Sequence, residues 1–164
     1  MAIQSTDIQC RLSGGASNAS PAASLGGAKS STAAPASLFD DVSSTEATAG
    51  DVEYRCVYVH NAHASLTLIG AVLFILANTP STSTTVDVGL GTSAMNGTEQ
   101  SVADESTAPS GVSFSAAANQ AAGIALGDIP AGQSRAVWVR RTISAGAAAY
   151  NDTFSLRVAG DTAA

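Results

Sequence analysis

"SLTLIGAVLFILANTP", residues 65–80, decides how the chain is read, because its twelve residues from Leu66 to Ala77 carry no charge and, Thr67 and Gly70 apart, are apolar. A membrane-crossing helix needs roughly 20 such residues, so the run is too short to span a bilayer. Ile69, Val72 and Ile75 are β-branched, Gly70 interrupts the run and Pro80 closes it, and each of these features disfavours a helix. The pattern predicts a short strand over residues 66–69, a bend or bulge at Gly70 and a buried strand over residues 72–76. On this reading the stretch is core sheet.

The rest of the chain is built from small residues. Its 164 residues suit one domain with room for a tail. Charged residues make up 12%, against about 25% in ordinary soluble domains, and Lys29 is the single lysine. A net charge of −6 and a pI near 4.5 speak against a nucleic-acid partner, which calls for a basic stripe. The opening residues show no basic leader followed by an apolar core, so neither a secretory signal nor a membrane partner is expected. Arg135, Arg140, Arg141 and Arg157 gather near the carboxy terminus, whereas Asp40, Asp41, Glu46, Asp51 and Glu53 come earlier. This asymmetry is read either as local pairs on a solvated surface or as inter-subunit charges, with Asp40 and Asp41 facing Arg140 and Arg141 of a neighbour. Cys10 and Cys56 are expected as free, partly buried thiols made in a reducing cytoplasm.

Along the chain, Ile8, Cys10 and Leu12 alternate with polar residues as in a short strand. Residues 13–37, "SGGASNASPAASLGGAKSSTAAPAS", hold two Gly-Gly pairs and almost no large apolar side chain. Such a stretch buries too little surface to offset the entropy of ordering it. It is expected to be a flexible arm that orders on a neighbouring subunit, with Ser13, Gly14, Gly15, Pro21, Leu25, Gly26, Gly27 and Lys29 as its contact residues. Residues 38–51 read as an acidic connector with a helical turn. Strands follow over residues 52–60, 66–77, 84–90, 111–115, 124–126, 134–143 and 153–158, separated by turn-forming residues. Residues 115–123 read as a short helix or an irregular crossover. The division is residues 1–50 as strand, arm and connector, and residues 51–164 as the folded domain. The fold class is all-β: a single β-sandwich, immunoglobulin-like or jelly-roll-like, with an extended N-terminal arm. Its expected core includes Val72, Phe74, Leu76, Val137, Val139, Phe154, Leu156 and Val158, with Trp138 and Arg140 on the opposite face of their strand. Tyr150 stands where the corner tyrosine of an immunoglobulin-like sandwich would stand.

No catalytic signature emerges. His60 and His63, in "HNAH", have the spacing of a metal pair but no adjacent cysteine or carboxylate to complete a set, and they are read as a hairpin turn. Asp40 and Asp41 lack the alternating oxygen ligands of a calcium loop. The glycine-rich phrases lack the lysine and the strand, loop and helix order of a phosphate cradle. No cofactor, metal or catalytic residue is expected. Exposed strand edges are usually guarded by lysines and inward charges, and both are scarce here, so covering by other subunits, and with it a homo-oligomer, is expected.

The phrases "RLSGGASNASPAASLGGAKSS", "LFDDVSSTEATAGDVEYRCVYVHN" and "IPAGQSRAVWVRRTISAGAAAYNDTFSLRVAG" resemble a group of structural proteins of tailed bacteriophages and prophages. The resemblance covers most of the chain and supplies no site residues. It implies a non-enzymatic virion protein, assembled in the bacterial host cytoplasm, whose partners are other virion proteins such as the major capsid or tail proteins. A capsid decoration or cement role comes first. The alternatives are a tail or baseplate component and a virion-displayed module that binds a receptor or glycan.

Overall fold

The computed structural model describes residues 2–148 and 152–162. The chain is almost entirely β: β1 (Ile8–Leu12), β2 (Asp51–Asn61), β3 (Leu68–Ala77), β4 (Thr84–Leu90), β5 (Phe114–Ser115), β6 (Ile124–Ile129), β7 (Ser134–Ile143) and β8 (Ser155–Thr162). One short helix, α1 (Ser44–Ala49), forms the helical turn expected in the acidic connector; Ser43 caps it and Glu46 returns the bond to the Ser43 amide. Residues 115–123 are an irregular crossover with a single 3₁₀ turn at Gln120–Ala122. Tyr150 lies outside the described residues.

The strands form two antiparallel sheets, ordered β1-β2-β7-β4-β5 and β6-β3-β8, that stack as a β-sandwich. Val57, Val59, Val86, Val88, Val137 and Val139 of the larger sheet face Leu68, Leu73, Ile75, Leu126 and Ile129 of the smaller one across the core. In a jelly roll, an eight-stranded hairpin is rolled up so that β2 meets β7, β3 meets β6 and β4 meets β5, and all three pairs are present. The rolled hairpin would also bring β1 onto β8, but here β1 runs antiparallel to β2. The jelly-roll order is therefore complete except at its first strand.

The opening stretch becomes β3, the central strand of the smaller sheet, bonded to β6 on one side and β8 on the other. Its uncharged character follows from this position, so its edges are paired within the chain. The expected break at Gly70 is present: Gly70 and Ala71 stand opposite the single residue Gly160, between the Ile69–Asp161 and Val72–Ala159 pairs, and Gly70 takes a positive φ of 58°, open to glycine without strain. A second irregularity corrects the expected core. Leu76 is squeezed out of the ladder between the Ile75–Leu156 and Ala77–Ser155 pairs and is 55% exposed. Phe154, Leu156 and Val158 are half-buried around the core, and Phe74, Val137 and Val139 are buried in it, whereas Val72 is half-buried and does not belong to the core cluster. The "HNAH" phrase is also not a hairpin turn, because the strands on either side of it belong to different sheets.

Residues 13–37 are not an arm. They fold back on their own domain, and residues 1–50 are not separable from the sandwich. Leu12 donates its amide to the Thr32 carbonyl at 3.0 Å, and Ser30 and Ala34 donate theirs to Leu12 and Cys10 at 2.8 Å, so the segment closes the outer edge of β1. Where β2 runs past the end of β1, its Cys56 amide bonds to the Ser24 carbonyl at 2.7 Å and its Tyr54 amide to that of Glu105 at 2.7 Å. The composition misleads because hydrogen bonding, rather than apolar burial by the segment itself, holds it: Ser13, Ser24 and Ser30 are buried, and Asn18 donates to the Ser13 carbonyl at 2.6 Å. The apolar surface comes from beneath, where Tyr54, Cys56, Tyr58, Ala136 and Trp138 form a second cluster on the outer face of the large sheet. Trp138 is fully buried.

Gly26 shows how closely the cover sits, since a Cβ there would lie 1.8 Å from the Gln100 carbonyl oxygen on a backbone with φ of 96°. Gly26→Ala is expected to lower stability by roughly 1–3 kcal/mol, as overpacking does, measured by urea denaturation. Replacing residues 14–28 with a short Gly/Ser linker removes the Gly27 carbonyl from Tyr58, whose burial is worth about 1.5–3 kcal/mol, and the Gly27 amide from Glu99, whose carboxylate holds the Trp138 indole. That variant is expected to lose its cooperative thermal transition and to shift Trp138 emission to the red. A free arm would leave both unchanged.

Candidate functional site

Among the described residues, three groups of chemistry-bearing side chains involve the residues singled out above or the buried charges. The largest group closes one end of the core. Glu53 and Arg55, on the inward face of β2 beyond Val57, meet Arg141 of β7, Asp40 of the connector and Glu105 of the 91–113 loop. Arg55 pairs with Glu105 and lies 3.5 Å from Asp40; Arg141 pairs with Glu53, lies 3.7 Å from the Asp40 carboxylate and donates to its carbonyl at 2.7 Å. Both guanidinium groups lie over the Phe39 ring, at 5.4 and 4.8 Å from its centroid, a favourable placement for a cation on a π face. Burial raises the Glu53 carboxyl above its ordinary range, and the Arg141 hydrogen bond works against that rise.

One oxygen from each of Asp40, Glu53 and Glu105 lies within 4.8 Å of the others, the spacing of a cation site. Arg55 and Arg141 already stand among these carboxylates and supply the compensating charge. The arrangement is a five-membered ion-pair clamp tying the connector and the 91–113 loop to the central strands. It was invisible in the sequence because its members come from four separate segments. The one local sign was Glu53 and Arg55 occupying inward positions of an otherwise apolar strand.

The second group surrounds Glu99, which is buried beneath the outer cover. Its carboxylate accepts the Thr92 amide at 3.2 Å, the Thr92 hydroxyl at 3.0 Å, the Ser93 amide at 2.8 Å and the Trp138 indole N–H at 3.4 Å. Its own amide donates to the Tyr58 hydroxyl at 2.9 Å, and that hydroxyl donates to the Gly27 carbonyl at 2.6 Å. Burial opposes ionisation of Glu99, but the bonds from Ser93 and Thr92 prevail and hold its pKa down at about 2. Glu99 thus fastens both halves of the cover to Trp138 and Tyr58.

The third group is small. Lys29 Nζ lies 3.1 Å from His60 Nδ1, which lies 3.1 Å from the Gln133 carbonyl. Burial, then the Lys29 charge, lower the His60 pKa, and burial also lowers that of Lys29. His63 faces elsewhere, its Nδ1 accepting the Ser65 and Leu66 amides at 3.1 and 3.0 Å, so the two histidines do not share a ligand. Cys10 and Cys56 are free thiols, both pushed up by burial.

Three of the four expected inter-subunit charges, Asp40, Arg140 and Arg141, pair within the chain instead. Arg140 pairs with Asp87 at 2.6 Å and lies 4.9 Å from the Phe114 centroid; Arg141 and Asp40 belong to the clamp; Asp41 is exposed. The expected arm residues line the cover instead. Ser13 Oγ accepts the Gly26 amide at 3.1 Å, and Gly15 donates to the Ala28 carbonyl at 2.9 Å. Pro21 opens a 3₁₀ turn, the Leu25 carbonyl accepts the Val102 amide at 2.9 Å, Gly27 bonds to the Glu99 carbonyl, and Lys29 meets His60. Gly14, at φ of 94°, sits where a Cβ would lie 2.5 Å from the Ala23 carbonyl oxygen. The chain matches no protein-family model, no curated protein and no solved structure.

Because the Glu99 pKa in the folded chain lies below the ordinary carboxyl value of 4.5, its ionisation contributes stability that is complete above that value and is lost as pH falls toward about 2. Glu99→Gln is expected to cost roughly 1–3 kcal/mol at neutral pH by leaving buried donors unmatched. Urea midpoints measured from pH 7 to pH 2 should show the gap between native and variant chains closing below pH 4.5. A constant gap would assign the loss to shape rather than charge.

Proposed function

We propose that the protein is a non-enzymatic structural component of a tailed-phage virion, with capsid decoration as its first role and a tail or baseplate position as the alternative. The observation that carries this reading is where the reactive side chains are placed. Arg55, Arg141, Glu53 and Glu105 clamp the end of the core, Glu99 fastens the cover, and Lys29 and His60 bond each other. Each stabilises one segment against another, as a rigid building block requires. The jelly-roll strand order supports the reading by analogy of fold, although capsid proteins, lectins and cupins share it. A glycan-binding role draws no support from the aromatic residues: Trp138, Tyr54 and Tyr58 are buried, and among the described residues no aromatic ring is exposed.

The test is the composition of purified particles. Quantitative mass spectrometry of virions from the host bacterium is expected to find the chain at a fixed copy number. Cryo-electron microscopy is expected to place it on the head shell, and particles lacking it should release their genome at a lower temperature. Absence from purified particles sinks the virion reading; density on the tail moves the protein to the alternative.

A further inference from the structure

Three of the four outer sheet edges are protected within the chain. Residues 30–34 close the edge of β1, β5 is only two residues long, and β6 is interrupted by Gly127 at φ of 77° with irregular pairing beside it. The fourth edge belongs to β8, which is eight residues long. It contains neither lysine nor proline, two of the usual guards of an exposed edge. Its backbone bonds only to β3 among the described residues. This is the edge that β1 would occupy in a complete jelly roll. An open groove of about 210 Å³ runs beside it, between Val158 to Gly160 and the residues Ile3, Gln4 and Ser5; among the described residues the one bond across, from the Ile3 amide to Thr162 Oγ1 at 3.2 Å, lies at the far end of the strand.

The charges on β8 indicate what fits there. Of the seven lysine and arginine residues, six are held by hydrogen bonds or ion pairs within the chain. Arg157 is the exception among the described residues, and it is exposed. Asp161, likewise exposed, also has no partner among the described residues. The two lie four positions apart in one strand, roughly 13 Å at 3.3 Å per residue, too far to meet each other. By the two-residue alternation of a strand they fall on the same side as Ala159, which is half-buried midway between them.

We propose that β8 pairs antiparallel with β8 of a second copy of this chain about a two-fold axis, with Ala159 opposite itself, joining two three-stranded sheets into one of six. In that register Arg157 of each copy stands opposite Asp161 of the other, so both unpartnered charges are matched twice by one symmetry operation. Moving the self-paired residue from Ala159 to Val158 or Gly160 would put Arg157 opposite Ala159 or position 163, an alanine, and leave both charges unmatched. Ala159 at the centre is small enough for close approach, and its neighbours on that face are the two charged residues themselves. A single strand pair buries less than the roughly 1,200 Å² of a standard interface. The dimer is therefore weak in dilute solution and gains strength where copies are held side by side. The inference stands on the strand edge and its charges and does not depend on the virion reading.

The full chain is the test material. Sedimentation velocity at rising concentration is expected to show a monomer–dimer equilibrium in roughly the micromolar to millimolar range. Arg157→Asp alone and Asp161→Arg alone place like charges opposite each other and are expected to weaken dimerisation roughly tenfold. The double variant restores the pairing and should recover the native value, which a general loss of folding would not do. Independently, Ala159→Cys is expected to form a disulfide-linked dimer on mild oxidation, since residues opposite each other in a sheet lie within disulfide range, while Ser155→Cys and the native chain stay monomeric. A chain that remains monomeric up to about millimolar concentration, a double variant no better than the single ones, or a dimer that Ala159→Cys fails to trap each overturns the proposal.

Discussion

The structure depends on the double burial of the β2–β7 pair. On one face its valines pack against the smaller sheet; on the other, Tyr54, Cys56, Tyr58 and Trp138 form a second apolar surface that no strand covers. A sandwich of two sheets supplies one cover. The second comes from irregular chain, residues 13–31 and the 91–113 loop, laid across the outer face. Backbone removed from water must have its polar groups paired, and this constraint explains the composition of the cover. Serine, threonine and asparagine side chains complete bonds that a regular ladder would have made, and glycines permit the close contacts at Gly26, Gly89 and Gly91.

The sparse charges follow the same logic. A buried carboxylate is tolerated when several donors converge on it, as at Glu99, or when a guanidinium lies beside it, as at Glu53. Removing one partner from such a pair leaves the other desolvated and costs more than the pair itself contributes. The ion-pair clamp and the Glu99 site therefore specify which segment lies where, even though their net stabilisation is modest. Nearly all the basic residues are committed in this way, which leaves Arg157 conspicuous on an open strand.

The departure of β1 from its jelly-roll position links these features. Pairing with β2 places β1 where residues 30–34 can seal it and where the chain leaving Leu12 passes directly over the outer face. The same choice leaves the outer edge of β8 without a paired strand among the described residues. A cover for one sheet and an open edge on the other are two consequences of one rearranged strand.

Strand positions were legible in the sequence because alternation and turn residues are local signals: residues 8–12, 84–90 and 134–143 match β1, β4 and β7 at both ends, and Gly70 marked its bulge. The opposed faces of Val137 and Trp138 followed from the two-residue period. Three things were decided by the tertiary structure alone. The fate of residues 13–37 turned on an apolar surface supplied by distant strands, which composition within the segment cannot register. Leu76 left the core because of a bulge set by pairing with β8, a register that one strand does not encode. The joining of Asp40, Glu53, Arg55, Glu105 and Arg141 required four segments to converge, and the solitary state of Arg157 became visible only once every other cation had found its partner. Local pattern determines what a segment can form; which groups meet, and which are left over, depends on long-range packing that no window of the sequence contains.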